Sequence, residues 1–230
     1  MSLKKGILKP NKQRAKNAIT LIWIVLILDF VSLVSSYFQF DLLQYVSKGN
    51  EVSLEAAVAN DIREQFVAIA YLIAYIISAV TFIQWFRRAY YNLHIKVKHL
   101  SYDEGWAAGS WFVPIISWFR PFQIMKELYK ETKKLLTNNG LYFNQNLSTV
   151  YIGWWWFLWL LNNFIGQFQF RYSTKAETID ELIFSTVINL IDNILGIVLA
   201  LITIKIIKDY SSVEPLLYEI NDENEITSKN

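Results

Sequence analysis

The chain has no cysteine, which excludes a disulfide framework, cysteine-ligated zinc, iron–sulfur clusters and thiol catalysis. Histidine occurs only as His94 and His99. Five residues apart, the two do not share a helix face, so neither a histidine-rich metal site nor a catalytic triad finds its parts. No glycine-rich phosphate loop, nucleophile elbow or His-Glu-x-x-His pattern is present. Charge is scarce at 18% of residues, against about 25% in soluble domains. The net charge of +2 leaves no nucleic-acid footprint. With 4 prolines and 8 glycines in 230 residues, the chain is neither collagen-like nor low-complexity.

What is abundant is apolar and aromatic: 53% hydrophobic residues, with 9 Trp, 13 Tyr and 15 Phe. Four runs, 18–40, 66–86, 148–170 and 182–207, are about as long as the 20 residues a helix needs to cross a bilayer. A lone span must satisfy its own backbone hydrogen bonds in lipid, so each reads as a helix. The expected fold is therefore all-α, a polytopic membrane protein with four transmembrane helices in a single membrane domain, 18–207. It is flanked by a basic N-terminus, 1–17, and an acidic tail, 208–230, expected to be flexible after Ser211. Of the 22 Lys and Arg, only Lys48, Arg63, Arg171 and Lys175 fall in the two loops on one side of this threading. The other 18 share the opposite side, which the positive-inside rule makes cytoplasmic, together with both termini. The first run is longer than a signal-peptide core and contains Asp29, so it reads as a retained helix.

Between the second and third runs, 105–119 is too short to span. It holds Gly105, Gly109 and Pro114, which weaken a continuous helix. It reads as a re-entrant or interfacial segment; a fifth span would put the two termini on opposite sides. Gly105 and Gly109 are four apart and would allow close backbone approach on a helix. Trp106, Trp111 and Trp118 suit the headgroup level. Arg120 follows, able to bind a carbonyl freed by Pro114, a lipid phosphate or a buried acid. Pro121 then opens an amphipathic helix, 121–137. Its Ile124, Met125, Leu128 and Leu135 form one stripe, and its Lys126, Lys130, Lys133 and Lys134 suit anionic headgroups. Asn138-Asn139-Gly140 ends that helix. Ser53 is a candidate cap for a helix starting in the loop before the second run. Tyr45, Trp85, Trp154 to Trp156 and Tyr172 read as interfacial anchors.

The strongest chemical signal is a pair of acids inside the apolar runs. An ionised carboxylate at the bilayer centre costs about 2.5–3.5 kcal/mol on insertion scales. Asp29 and Asp192 lie near the middle of their runs, with Asn189 and Asn193 beside the latter and Asn162 and Asn163 on the third run. If these faces converge they form one polar cluster. Two readings stay open: a proton, cation or small-solute site, or hydrogen-bonding glue between helices with the acids protonated or paired with Arg88 or Arg120.

One stretch carries a family resemblance. Trp85, Arg88, Asn92, Leu93 and Tyr102 precede the run Gly105-Trp106-Ala107-Ala108-Gly109-Ser110-Trp111-Phe112-Val113-Pro114. Arg120-Pro121 and Met125-Lys126-Glu127-Leu128 follow. This pattern resembles the bacterial domain-of-unknown-function 4328 family. It departs from it at Asp103-Glu104, where members carry Ser-Pro, and at Ser117, where an Asn is common. The resemblance implies a small multi-span protein of the bacterial inner membrane and brings no activity, cofactor or catalytic residue with it.

The functional expectation is a non-enzymatic scaffold or interaction component. Its partners would be the lipid bilayer, anionic headgroups, and a second copy or another membrane protein, with no cofactor and no nucleic acid. The alternative is a small channel or transporter for an ion, proton or lipid-like solute, built on Asp29 and Asp192.

Overall fold

A computed structural model describes residues 7–145 and 147–220. The fold is all-α, with no strand among the described residues. Six helices follow in order: α1 (Lys12–Ser47), α2 (Leu54–Lys96), α3 (Trp106–Gly109), α4 (Arg120–Asn138), α5 (Thr149–Ser173) and α6 (Ile179–Val213). Short 3-10 turns lie at Ile116–Trp118 and Glu214–Tyr218.

The long helices outrun their apolar runs. α1 has 36 residues and α2 has 43, about 54 and 65 Å at 1.5 Å per residue. Three helical segments, Lys12–Ser47, Leu54–Lys96 and Ile179–Tyr218, are long and apolar enough to cross a membrane. α5 is long enough at 25 residues, but Asn162, Asn163, Gln167 and Gln169 dilute its apolar character, and it is not one of these three. Local chemistry explains several ends. Ser53 Oγ accepts from Ala56 N–H at 3.2 Å and caps α2. Pro121 occupies the first turn of α4, where its missing N–H costs nothing. Gly140, at φ 68°, closes α4 in the left-handed conformation.

The chain divides into two compact units. The first comprises Met1–Ile19, Ala79–Trp154 and Lys205–Asn230. Its core is aromatic: Trp85, Tyr90, Tyr129 and Tyr210 are almost wholly buried, with Phe86, Leu93, Ile124, Met125 and Leu128. The apolar stripe of α4 is consumed here, and its Lys126, Lys130, Lys133 and Lys134 stay outside. Tyr129 donates from its hydroxyl to the Ile206 carbonyl at 2.6 Å, and its ring tilts against that of Tyr210. The segment 105–119 is not a continuous helix. One short turn of helix is followed by bends, and Pro114 O accepts from Ile116 N–H at 2.7 Å across Ile115. Ile115 has φ 67° and ψ −52°, the rare γ-turn that a β-branched residue strongly resists.

Three expectations change in this unit. A β-carbon at Gly105 or Gly109 would meet nothing within 4 Å, so these glycines are not points of close approach. Trp85 is buried and donates from Nε1 to Ser211 Oγ at 3.2 Å, so it is a core residue rather than an interfacial anchor. The stretch 209–220 belongs to the fold: α6 continues to Val213 and the 3-10 turn Glu214–Tyr218 follows. Glu214, Leu217 and Ile220 are buried there, while Asp222, Glu223 and Glu225 lie outside the described residues.

The second unit comprises Thr20–Ser78 and Trp155–Ile204. Its helices are apolar on nearly every side, as lipid-facing helices are. Ile27, Phe30, Val34 and Phe38 on α1, and Ile69, Leu72, Ile73 and Ile76 on α2, are exposed. Water would not tolerate so broad an apolar surface. The tryptophan run turns different sides outward: Trp154 is exposed, whereas Trp155 and Trp156 are buried, with Trp155 Nε1 donating to Thr203 Oγ1 at 3.1 Å.

Candidate functional site

The second unit brings the two acids to glycines on neighbouring helices. Asp29 on α1 is 1% exposed. A β-carbon at Gly196 on α6 would sit 2.9 Å from its Oδ1, 3.1 Å from its Cγ and 3.2 Å from its Oδ2. Only a residue without a side chain leaves room for that carboxyl group. Asp192, one helical turn before Gly196, lies more loosely against α5, its Oδ2 3.6 Å from where a β-carbon on Gly166 would sit, an ordinary contact. Asn162, one turn before Gly166, donates from Nδ2 to Asp192 Oδ1 at 2.8 Å. A polar residue followed four positions later by glycine thus recurs on α5 and α6, with Gly196 seating the Asp29 carboxyl and Gly166 in ordinary contact with that of Asp192. Sequence reasoning missed Gly166 and Gly196; the four-residue spacing was the available signal.

The remaining members of the predicted cluster divide. Asn189 donates from Nδ2 to Ser36 Oγ at 3.0 Å and joins α6 to α1. Asn193 is buried, and its Nδ2 has no partner; neither has Asp29 Oδ2. Asn163 does not join. Its Nδ2 donates to Trp159 O at 2.7 Å on its own helix. The hydroxyl of Tyr71 on α2 reaches Asp29, and its ring stacks on Tyr75 with centroids 6.1 Å apart.

A second polar knot in this unit was not foreseen. Arg63 on α2 donates from Nε to Ser35 Oγ at 2.9 Å and from Nη2 to Ser35 O at 3.1 Å and Asn60 Oδ1 at 2.6 Å. Ser35 Oγ in turn donates to Glu64. Beside it, Phe38, Asp41, Tyr45, Lys48, Asn60 and Arg63 help line a cavity of about 730 Å³.

In the first unit the motif residues serve two purposes. Asn92 is 1% exposed and acts as a backbone mimic: its Oδ1 accepts from Lys9 N–H at 3.0 Å and its Nδ2 donates to Lys9 O at 2.8 Å. The same Nδ2 donates to Glu214 Oε1 at 2.7 Å, and Asn11 Nδ2 donates to Glu214 Oε2 at 3.0 Å. Glu214 lies beyond the 182–207 run. Burial pushes its carboxyl up to about 7, against the opposing hydrogen bonds from Asn92 and Asn11 and the charge of Arg88. Asn11 and Glu214 gave no local signal.

The turn before α3 is held by Glu127 on α4, which accepts from Tyr90 Oη at 2.6 Å and from Ser101 N–H at 2.8 Å. Trp106 starts α3. Trp111 donates from Nε1 to Ala107 O at 3.1 Å and packs edge-on against Phe82 and Phe86 of α2. Arg120 pairs with no acid. Its guanidinium lies 4.3 Å from the ring centre of Tyr102, 5.7 Å from Trp106 and 5.8 Å from Phe119, and its buried Nε has no partner. Arg88 stands within the field of Glu214 rather than beside an intramembrane acid.

An all-α chain with three helices apolar enough to cross a membrane is the class these observations define. The model of a domain of unknown function, DUF4328, matches residues 48–212, and the chain belongs to that family. No curated protein and no solved structure matches it.

Proposed function

We propose that the chain is a four-span protein of the bacterial inner membrane with both termini in the cytoplasm, and that it serves as a non-enzymatic interaction component. The fourth span is α5, whose 25 residues reach about 37 Å, more than the roughly 30 Å of a hydrocarbon core. Two of its polar residues find partners on α6, Asn162 on Asp192 and Gln169 on Ser185. The uneven division of Lys and Arg supports the orientation.

The observation that carries the interaction reading is that both intramembrane acids are fixed by neighbouring helices, Asp29 against the backbone of Gly196 and Asp192 by Asn162. Side-chain bonds join α5 to α6 and α6 to α1 around them. Such contacts fix helices against one another, and a fixed bundle suits a component that others assemble on. A second reading is conduction of a proton or small cation. It is favoured by the buried, unpartnered Asp29 Oδ2 and Asn193 Nδ2, which leave bonding capacity open beside the acids.

Reconstitution in liposomes decides between them. The interaction reading expects no proton or ion flux above empty vesicles. It also expects Asp29→Asn with Asp192→Asn to change assembly size in nanodiscs or thermal stability. Flux in the wild type that is lost in a folded double variant would overturn it in favour of conduction.

A further inference from the structure

Five of the eight side chains from Phe112 to Phe119 are exposed large apolar groups: Phe112 at 75%, Ile115 at 73%, Trp118 at 57%, with Val113 and Phe119 less so. The backbone that presents them is strained at Ile115, which puts a β-branched residue at φ 67° outside the protein rather than in its core. At the base of this loop Trp111 packs on Phe82 and Phe86, at the end of the apolar run 66–86, immediately before Arg87 and Arg88. That is the level at which hydrocarbon gives way to headgroups.

Arg120 completes the arrangement. Its guanidinium carbon lies over the rings of Tyr102, Trp106 and Phe119, 4.3, 5.7 and 5.8 Å from their centres, and these aromatic contacts use none of the N–H donors that lie in its plane. It stands at the first turn of α4, a helix end that no side chain caps. A planar donor fork beside the positive end of a helix matches a phosphate.

We propose that residues 112–119 form a wedge entering the boundary between headgroups and acyl chains, and that Arg120 binds the phosphate of an anionic phospholipid there. The inference rests on the membrane reading above and adds to it a lipid site in the first unit. Ile124, Met125 and Leu128 of the α4 stripe are buried in the protein core and Leu135 is half-buried, so the wedge supplies most of the apolar contact with lipid and the α4 lysines supply charge.

The absence of cysteine makes the test clean, because a single introduced cysteine takes a nitroxide label without background. Labels at Phe112→Cys, Ile115→Cys and Trp118→Cys are read in phosphatidylglycerol-containing vesicles for relaxation by oxygen against a water-soluble nickel complex. Phe30→Cys serves as the lipid reference and Lys130→Cys as the aqueous one. The wedge positions should favour oxygen, as position 30 does. Labels at the wedge that see nickel, or that are shielded from both reagents as in a protein–protein contact, overturn the wedge while position 30 still reports lipid. Nickel access at position 30 as well would remove the membrane reading itself.

The phosphate arm compares phosphatidylglycerol retained by purified protein. Arg120→Gln should retain roughly tenfold less than wild type, and Arg120→Lys an intermediate amount. Excess inorganic phosphate should displace little, because the wedge recognises the acyl region too. Equal retention by a folded Arg120→Gln protein, or full displacement by inorganic phosphate, would overturn the lipid assignment.

Discussion

Replacing Gly196 by alanine tests the seating of Asp29 directly. In most helices this change stabilises by about 0.5–1 kcal/mol, because glycine loses more backbone freedom on folding. At Gly196 the new carbon would lie 2.9 Å from a carboxylate oxygen that is itself buried on all sides. The short Asp29 side chain has few ways to retreat, so the helix or the acid must move, at about 1–3 kcal/mol for overpacking. The net expectation is a loss of about 1 kcal/mol, from the difference of these two effects. Gly153 supplies the reference: it lies within α5, and its added β-carbon would meet nothing within 4 Å. Gly153→Ala should therefore gain about 0.5–1 kcal/mol. Gly166→Ala, with its nearest atom at 3.6 Å, should fall between the two. The assay is reversible unfolding in mixed micelles by sodium dodecyl sulfate titration, followed by circular dichroism. The cycle closes with Asp29→Ala, in whose background Gly196→Ala should turn stabilising, with a coupling of about 1–3 kcal/mol. If Gly196→Ala gained as much as Gly153→Ala, or lost the same amount without Asp29, the carboxyl would not occupy the space that Gly196 leaves.

Three further outcomes follow from the first unit. Glu214, raised from 4.5 to about 7, binds its proton more tightly folded than unfolded, so its share of stability is present below pH 4.5 and is lost as pH rises through 7. Over that window the decline is at most about 3 kcal/mol; Glu214→Gln should flatten it in unfolding measured from pH 4.5 to 8, and an unchanged slope would refute the assignment. Ile115→Gly should raise stability by about 1 kcal/mol by releasing the positive φ, measured by the same titration, whereas Ile115→Ala should not. Tyr129→Phe removes the buried hydroxyl that donates to Ile206 O and should cost about 1 kcal/mol; no loss would mean that water or another group replaces the bond.

Much of the architecture can be read from local pattern. Ser53 does cap α2, Gly140 closes α4, Pro121 opens it, and the apolar runs lie within the long helices. Hydropathy sees only the part of a helix that lipid would tolerate, however. The polar ends of α1 were therefore invisible to it, although lysine and alanine support helix at its start, whereas the start of α2 was legible in its Ser53 cap. The candidate site was legible at Asp29, Asp192, Asn162 and Asn189 because polar groups in apolar runs stand out. Asn163 was grouped with Asn162 although adjacent helical residues point about 100° apart, and it turns back to its own helix. The same rotation separates Trp154 from Trp155. At Gly196 the four-residue spacing from Asp192 was visible, but not that Asp29 of another helix fills the space; Glu214 was out of reach altogether, because no local pattern encodes a contact across 203 residues.

That long separation also sets an order of assembly. Asn11 meets Glu214 only after 203 further residues have been made, and the first unit draws on three stretches far apart in the sequence. Chains emerge from the ribosome at about 5–20 residues per second, so the N-terminal partner waits on the order of ten to forty seconds for its acid. Asn92, 122 residues before Glu214, waits a shorter time for the same acid, and the clasp at Glu214 forms after the earlier helices are made rather than as a nucleus for them. A chain stopped before residue 214 would hold its apolar helices yet leave this end unlatched, a state that quality-control proteases could tell from the finished protein.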